Sequence, residues 1–394
     1  MKILLTTESY HPNIDGGAIA QHRLVAELIK KGHDVRVVAP GENSTNITET
    51  DEETHSLVHR PRSMTLPFYM DNRYHFAPFP YFYIKKVIEE FKPDLINTCS
   101  PYPNSLSAHY VARKKDIPVV GSIHMLPENM LSPWMDKSYY PTIKKISWRY
   151  LINYYNRVDQ ATIPTQTGKE MYEEQGLTTD VTPISNGVDT TKFNPKNNGD
   201  YLKEKFNLPD KPTALYTGRL CAEKNLDVLI KAIPQVLKHV DLHFIFVGSG
   251  GAYKEKMKHL AEQLKVSDYI TFTDFLPWED YYNIYDTADL FVIPAESELQ
   301  SIVTLEAIAC GLPAVVVDAG AVPELVSNDN GSTFKAQDST DLSKKISTIL
   351  NDKKLQKKMS KNSLELVKSH SMDYISSQFE SVYKKTLELA STTH

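Results

Sequence analysis

The sequence predicts an α/β fold of two domains, each built on a parallel sheet. Short apolar runs of strand length alternate with amphipathic stretches of helix length through both halves, the rhythm of repeated strand–helix–strand units. Each half opens on an apolar run that leads into a glycine-containing turn and then a helix, at residues 2–31 and again at residues 214–239. A length of 394 residues suffices for two cores of ordinary size.

Composition narrows the function classes. Hydrophobic residues make up 41% and charged residues 24%, as in a soluble globular protein. The net charge of −5 gives no whole-chain reason to bind nucleic acid, and no RNA- or DNA-binding motif is seen. Cys99, Cys221 and Cys310 are odd in number, far apart and free of any C-x-x-C pairing. They read as reduced core thiols with no metal role in a cytoplasmic protein. The amino terminus reads as a first strand, not a signal peptide, and no run approaches ~18 apolar residues.

Residues 2–7 form the first strand, residues 18–31 the first helix and residues 32–40 the second strand, with Gly16 and Gly17 in the first turn. Glycine there lets backbone N–H groups approach a phosphate without an intervening side chain. Residues 42–59 are acidic and polar, an expected surface excursion. The aromatic stretch 64–83 must pack on something, with core the expected partner and a ligand the alternative. A helix over 83–91, a strand from 93 and another strand over 118–123 follow, the last delivering His124 into a loop. Residues 132–157 combine Trp134, Trp148 and five tyrosines with Lys137, Lys144, Lys145, Arg149 and Arg157 against one acid, Asp136. Two readings stay open: an interfacial membrane segment, or a long helix with its aromatics on the core and a solvated basic face. A strand at 161–164 precedes a helix whose Thr167-x-x-Glu170 matches a capping box.

Residues 195–212 are polar and read as the linker. Beyond the strand at 214–217 lie Gly218, Arg219 and Lys224, then a helix, a strand at 242–247 and the glycines 248–251. The strand and turn at 269–277 include Phe275 and Leu276. The stretch 294–307, P-A-E-S-E-L-Q-S-I-V-T-L-E-A, follows an apolar strand and leads into a helix. Glu298 stands at the strand's carboxyl end, where such units bind ligands, and Glu306 lies about 12 Å further on if every step is helical. A charged helix over 335–370 and an amphipathic helix over 371–389 complete the chain.

The 294–307 stretch resembles the acidic motif of the family 4 retaining glycosyltransferases. Residues 181–189 (P-x-N-G-V-D), 218–224 (G-R-x-x-x-E-K) and 319–324 (G-G-x-P-E, here with one alanine) resemble further segments of that family, in its order. The resemblance implies the GT-B fold, two Rossmann-like domains facing across a cleft with the last helix crossing back to the first domain. It also implies roles: His124 and Glu298 beside the donor sugar, Arg219 and Lys224 on the diphosphate, and Glu306 on the ribose. Gly16, Gly17, Gly218, Leu276, Leu299, Gln300 and Ser301 would line the donor site, and Asn186 the cleft. Where the commonest family version has Gly-Phe-Gly after the first Glu, this chain has Leu299-Gln300-Ser301, closer to the subgroup that includes diacylglycerol glucosyltransferases.

The expected boundaries are 1–195 for the acceptor domain, 196–211 for the linker, 212–370 for the nucleotide-sugar domain and 371–394 for the returning helix. The expected activity is transfer of a hexose, glucose foremost, from a nucleoside diphosphate, UDP foremost, with retention. No D-x-D follows an apolar strand, so no metal and no cofactor are expected. The acceptor is expected to be a membrane glycerolipid such as diacylglycerol, with a soluble glycan or protein as alternative. A peripheral position on an anionic inner membrane face would then follow, with Trp134, Lys144, Lys145, Trp148 and Arg149 facing the lipid. The alternative from another class is a catalytically silent nucleotide-sugar or glycan binder acting as a partner subunit.

Overall fold

The apolar runs become the parallel strands of two sheets, the first of which also carries an antiparallel edge strand. The chain is seen here as a computed structural model describing residues 1–65, 74–127 and 139–392. It divides into two units: Met1–Gly187 with Met372–His394, and Val188–Ser371.

In the first unit β1 (Lys2–Thr6), α1 (Gly16–Lys30) and β2 (Asp34–Val38) form the opening β-α-β. Next come β3 (Ile47–Thr50), β4 (Leu57–Arg60), a small pair β5 (Met64–Thr65) and β6 (His75–Phe76), α2 (Tyr81–Phe91), β7 (Leu95–Thr98) and α3 (Pro103–Lys114). Then β8 (Val119–Ser122), α4 (Tyr140–Tyr155), β9 (Gln160–Ile163), α5 (Gln166–Glu174) and β10 (Val181–Pro183) follow. The sheet order is β10-β9-β8-β7-β1-β2-β4-β3. Ile3 pairs with Val35 on one side of β1 and with Leu95 on the other. Ile3, Leu4 and Leu5 are buried, as a parallel strand covered on both faces requires.

The structure corrects four readings here. The polar excursion 42–59 extends the sheet, because β4 adds parallel to β2 and β3 closes a hairpin on β4. Helix α3 was not foreseen: its buried side is small or polar (Asn104, Ser105, Ala108, Val111, Ala112), so it lacks an apolar stripe. Pro103 in its first turn was the available signal. The cap of α5 is Thr165, whose hydroxyl accepts from Gly168 N at 3.1 Å, and not Thr167. Trp148 does not face outward, since its ring packs edge-on against Tyr172 at 4.9 Å and Leu151, Tyr154 and Tyr155 are buried beside it. Lys144, Lys145 and Arg149 lie on the exposed face of α4. Residues 132–138, Trp134 among them, lie outside the described residues.

The second unit holds α6 (Asp200–Lys205), β11 (Thr213–Thr217), α7 (Leu226–Val236), β12 (His243–Val247), α8 (Gly251–Gln263) and β13 (Ile270–Asp274). It continues with α9 (Trp278–Asn283), β14 (Leu290–Ile293), α10 (Ile302–Ala309), β15 (Ala314–Val317), β16 (Gly331–Phe334), α11 (Ser339–Leu350) and α12 (Lys353–Leu366). All six strands are parallel, in the order β13-β12-β11-β14-β15-β16. The polar segment expected as a linker belongs to this unit. Tyr201 donates to Asp280 at 2.7 Å, Lys205 pairs with Asp280 at 2.5 Å, and Gly199 N donates to Asp286 at 2.9 Å. Its polar residues are partners in a packed structure, which composition alone does not reveal. The single charged helix expected over 335–370 is two, separated where Asp352 caps the second by accepting from Lys354 N and Leu355 N.

The last helix, α13 (Met372–Thr392), belongs to the first unit. Met372, Ile375, Phe379, Val382 and Tyr383 join Leu24, Val25 and Leu28 of α1 in one core. Asn97 at β7 donates to the Tyr383 hydroxyl at 2.7 Å, and His33 meets Glu380 at 3.0 Å.

Replacing Thr165 by Ala should cost about 1 kcal/mol, the usual value of a helix cap. Thr167→Ala should cost less, and urea denaturation of the two variants compares them directly. Equal losses would show that the capping assignment is wrong.

Candidate active site

The second sheet reverses its growth between β11 and β14: β12 and β13 extend it one way, β14 to β16 the other. A parallel sheet opens a crevice beyond the carboxyl ends of the strands at such a reversal. The loop after β11 carries Gly218, Arg219 and Lys224, and the loop after β14 carries Glu298, so the topology brings these residues together.

Lys224 donates to Glu298 Oε1 at 2.5 Å and lies 3.8 Å from Glu223, which also pairs with Arg219. Both members of the Lys224–Glu298 pair are largely buried, with 14% and 21% of their side chains exposed. Burial would push the Lys224 ammonium down, but the Glu298 carboxylate outweighs it and holds the group above the ordinary lysine range. The site is thus a chain of alternating charges, with cations able to meet an anionic ligand and carboxylates able to meet developing positive charge.

Glu306 is not a surface charge: it is 1% exposed. The helix begins only at Ile302, so the eight steps from Glu298 are not all helical. Its Oε2 accepts from Tyr281 at 2.8 Å and Tyr285 at 3.0 Å, and Tyr285 reaches Thr217 at 3.0 Å. Burial, with the Glu306 carboxylate adding to it, holds both phenols well above their usual range, so they stay protonated donors. These tyrosines escaped the sequence reading; their spacing of four on one helical face was the signal. Ser301 caps α10, its hydroxyl accepting from Thr304 N, and Leu299 and Gln300 are also buried. Leu276 packs in the core while the adjacent Phe275 is exposed.

The glycines after β12 serve packing. Gly248 has φ +143°, and a Cβ there would stand 1.9 Å from Gly218 O; one at Gly250 would stand 2.3 Å from Leu220 O. Only glycine lets this loop lie against the one carrying Arg219.

In the first unit Gly16 and Gly17 begin α1, whose cap Asp15 accepts from Ala18 N at 3.0 Å. They follow β1, where that sheet reverses between β2 and β7. His124 follows β8, and its imidazole is pushed down to about 4 by burial, against the opposite pull of a hydrogen bond with Asn186. It is therefore neutral at pH 7, and with Asn186, Gln21 and Ser122 it lines a small cavity. Glu8 was missed by sequence. Its Oε1 accepts from Asn104 N at 2.7 Å at the start of α3, and burial raises its carboxyl to about 8 despite that bond.

The motifs fall within segments that match known families. The family model for Glycosyltransferase Family 4 matches residues 14–192 and that for Glycosyl transferases group 1 matches residues 200–365. The chain is 27% identical over 312 residues to the sulfoquinovosyl transferase SQD2 of Arabidopsis thaliana, covering 77% of this chain and 58% of that protein's length. It is 25% identical over 334 residues to the alpha-monoglucosyldiacylglycerol synthase of Streptococcus pneumoniae, covering 83% and 74%. Among solved structures, Anabaena HepE in complex with UDP-glucose superposes with a TM-score of 0.77 at 19% identity, over 98% of this chain and all (100%) of that one. The fold is GT-B.

Tyr281→Phe and Tyr285→Phe each remove one donor from a buried carboxylate and should each cost ~1 to 3 kcal/mol. Because both serve one oxygen, the double variant should depart from the sum of the singles in urea denaturation. Strict additivity would show that the two bonds do not share the Glu306 carboxylate as one unit.

Proposed function

The chain belongs to the family 4, group 1 glycosyltransferases, and on that premise we propose that it is a retaining hexosyltransferase. Its proposed donor is a nucleoside diphosphate hexose, UDP-glucose foremost, and its proposed acceptor a membrane glycerolipid of the diacylglycerol class. Similarity to an alpha-monoglucosyldiacylglycerol synthase supports the acceptor. The likeness of fold to HepE with UDP-glucose supports the donor.

The observation that carries the reading is the Lys224–Glu298 pair at the reversal of the second sheet. In the proposed reaction Arg219 and Lys224 take the charge of the departing diphosphate, with no divalent ion required. Glu298 orients the sugar and stabilises the oxocarbenium-like carbon; Glu306, fixed by Tyr281 and Tyr285, holds the ribose. Neutral His124 hydrogen-bonds the sugar. The acceptor hydroxyl attacks on the face the diphosphate leaves, so configuration is retained with no covalent enzyme intermediate. Gly16 and Gly17 offer helix N–H groups to phosphate.

Membrane contact is proposed through the exposed face of α4, with Lys144, Lys145 and Arg149 beside the exposed Tyr139 and Ile146. Phe79 and Phe82, also exposed, would add apolar contacts. No described helix is long and apolar enough to cross a membrane.

Lys224→Ala should lower turnover by ~10²-fold or more, since it removes a charged donor from the leaving group. Adding magnesium or manganese to chelator-treated enzyme should leave kcat unchanged; a rise from near zero would show that a divalent ion holds the diphosphate.

Replacing Lys144, Lys145 and Arg149 together by Ser should release the protein from vesicles containing anionic lipid while donor hydrolysis continues, each basic residue contributing ~1 kcal/mol to binding. Salt should weaken the wild-type interaction over a Debye length of about 8 to 10 Å. Wild-type protein that ignores anionic vesicles at low salt would instead point to a soluble glycan or protein acceptor.

A further inference from the structure

Outside the residues used above, the first unit gathers His11, His22 and Asp51, with one ligand-type atom of each lying within 4.8 Å of the others. They come from three separate elements: the loop after β1, helix α1, and the turn of the β3–β4 hairpin. His11 Nδ1 lies 3.3 Å from Asp51 Oδ2 and His22 Nε2 lies 3.2 Å from Asp51 Oδ1. A tetrahedral zinc ion with bonds of about 2.0 to 2.1 Å separates its ligands by about 3.3 Å. Each histidine meets its own oxygen of Asp51 at about that separation, so an ion seated among them is held by both carboxylate oxygens or draws the two imidazoles toward one.

The carboxylate is preorganised. Asp51 Oδ1 accepts from Glu53 N at 3.1 Å, Thr54 N at 2.8 Å and the Thr54 hydroxyl at 3.0 Å, and only 2% of the side chain is exposed. A carboxylate so buried needs a cationic partner. His11 is fixed through its backbone, since its carbonyl accepts from Arg60 at 2.7 Å, and Arg60 is tied also to Pro40 O and Glu49. The second nitrogen of His22, Nδ1, faces the Glu53 carboxylate at 4.0 Å, an ion-pair separation from which a small shift would bring the two into an outer-shell hydrogen bond. His11 is 41% exposed on its side chain, which leaves an entry path and room for a fourth ligand.

We propose that His11, His22 and Asp51 form a zinc site that fastens the β3–β4 edge hairpin to α1 and to the loop that leads to Gly16 and Gly17. Two imidazoles and one carboxylate suit zinc and other late first-row ions, whereas magnesium and calcium prefer all-oxygen sets. On binding, the ion takes the place of the protons shared between each imidazole and the carboxylate.

The test uses the full chain, stripped with chelator and titrated with zinc by calorimetry and with cobalt as an absorbing substitute. A single equivalent should bind, and millimolar magnesium should not compete. His22→Gln, Asp51→Asn and the rim variant His11→Gln should each weaken binding by more than the ~10- to 100-fold typical of losing an outer partner. Glu53→Gln should weaken it less. The thermal midpoint of wild type, but not of His11→Gln, should rise with zinc; because His11 is on the rim, that variant keeps the test readable should Asp51→Asn fail to fold. Wild-type protein that binds no zinc overturns the proposal. So does zinc binding that is unchanged in folded His11→Gln and His22→Gln.

Discussion

The constraint on which the second unit depends is the reversal of strand order between β11 and β14. A parallel strand cannot return by a tight turn, so each connection crosses over the sheet, and all strands end at the same edge. Where successive crossovers leave in opposite directions, two loops part and a crevice opens between them. Arg219 and Lys224 are far from Glu298 in sequence, yet all three stand at that point. The close loop packing there needs Gly248 and Gly250, because a side chain at either position would strike the backbone of the Arg219 loop. Sheet topology therefore selects the place, and the glycines allow the charged loop to be held there.

Three buried carboxylates show three answers to one physical demand. Glu298 is met by a lysine ammonium, Glu306 by two phenolic hydroxyls, and Asp51 by backbone N–H groups and imidazoles. Glu8 is the contrast. It accepts backbone N–H bonds at the start of α3, but among the described residues it has no cation beside it and its Oε2 makes no hydrogen bond, and its carboxyl rises to about 8. At Glu8 the backbone donors do not offset the burial, and the carboxyl is raised.

Much of this was legible in sequence. The inner strands announced themselves as apolar runs because parallel strands are covered on both faces, and the order of the glycine, Arg-Lys and Glu motifs fixed where the site would be sought. What escaped lacked an apolar signature. Helix α3 buries Asn104 and Ser105, edge strand β3 is wholly exposed, and the segment 196–211 packs through Asp280 and Asp286. Trp148 was ambiguous for another reason: a tryptophan on a basic helix looks the same in sequence whether it turns to lipid or to Tyr172. The partners of Glu306 were hidden because Tyr281 and Tyr285 precede it by more than twenty residues and meet it only through the fold.

The alternating charges at the site also bear on how it distinguishes ligands. Lys224 is already satisfied by Glu298, and Arg219 by Glu223. An anion that takes Lys224 must therefore displace or share a carboxylate, so its affinity is the difference between two charge-assisted contacts. A single weak anion gains little from that exchange. A diphosphate, with several oxygens and charge to engage both cations, gains on each, and the carboxylate it displaces is released beside whatever is bonded to the phosphate. Under the proposed reaction that neighbour is the sugar carbon, where negative charge is wanted as the bond to phosphate breaks. The same pair would then suppress weak anions and deliver Glu298 only when the proper leaving group is seated.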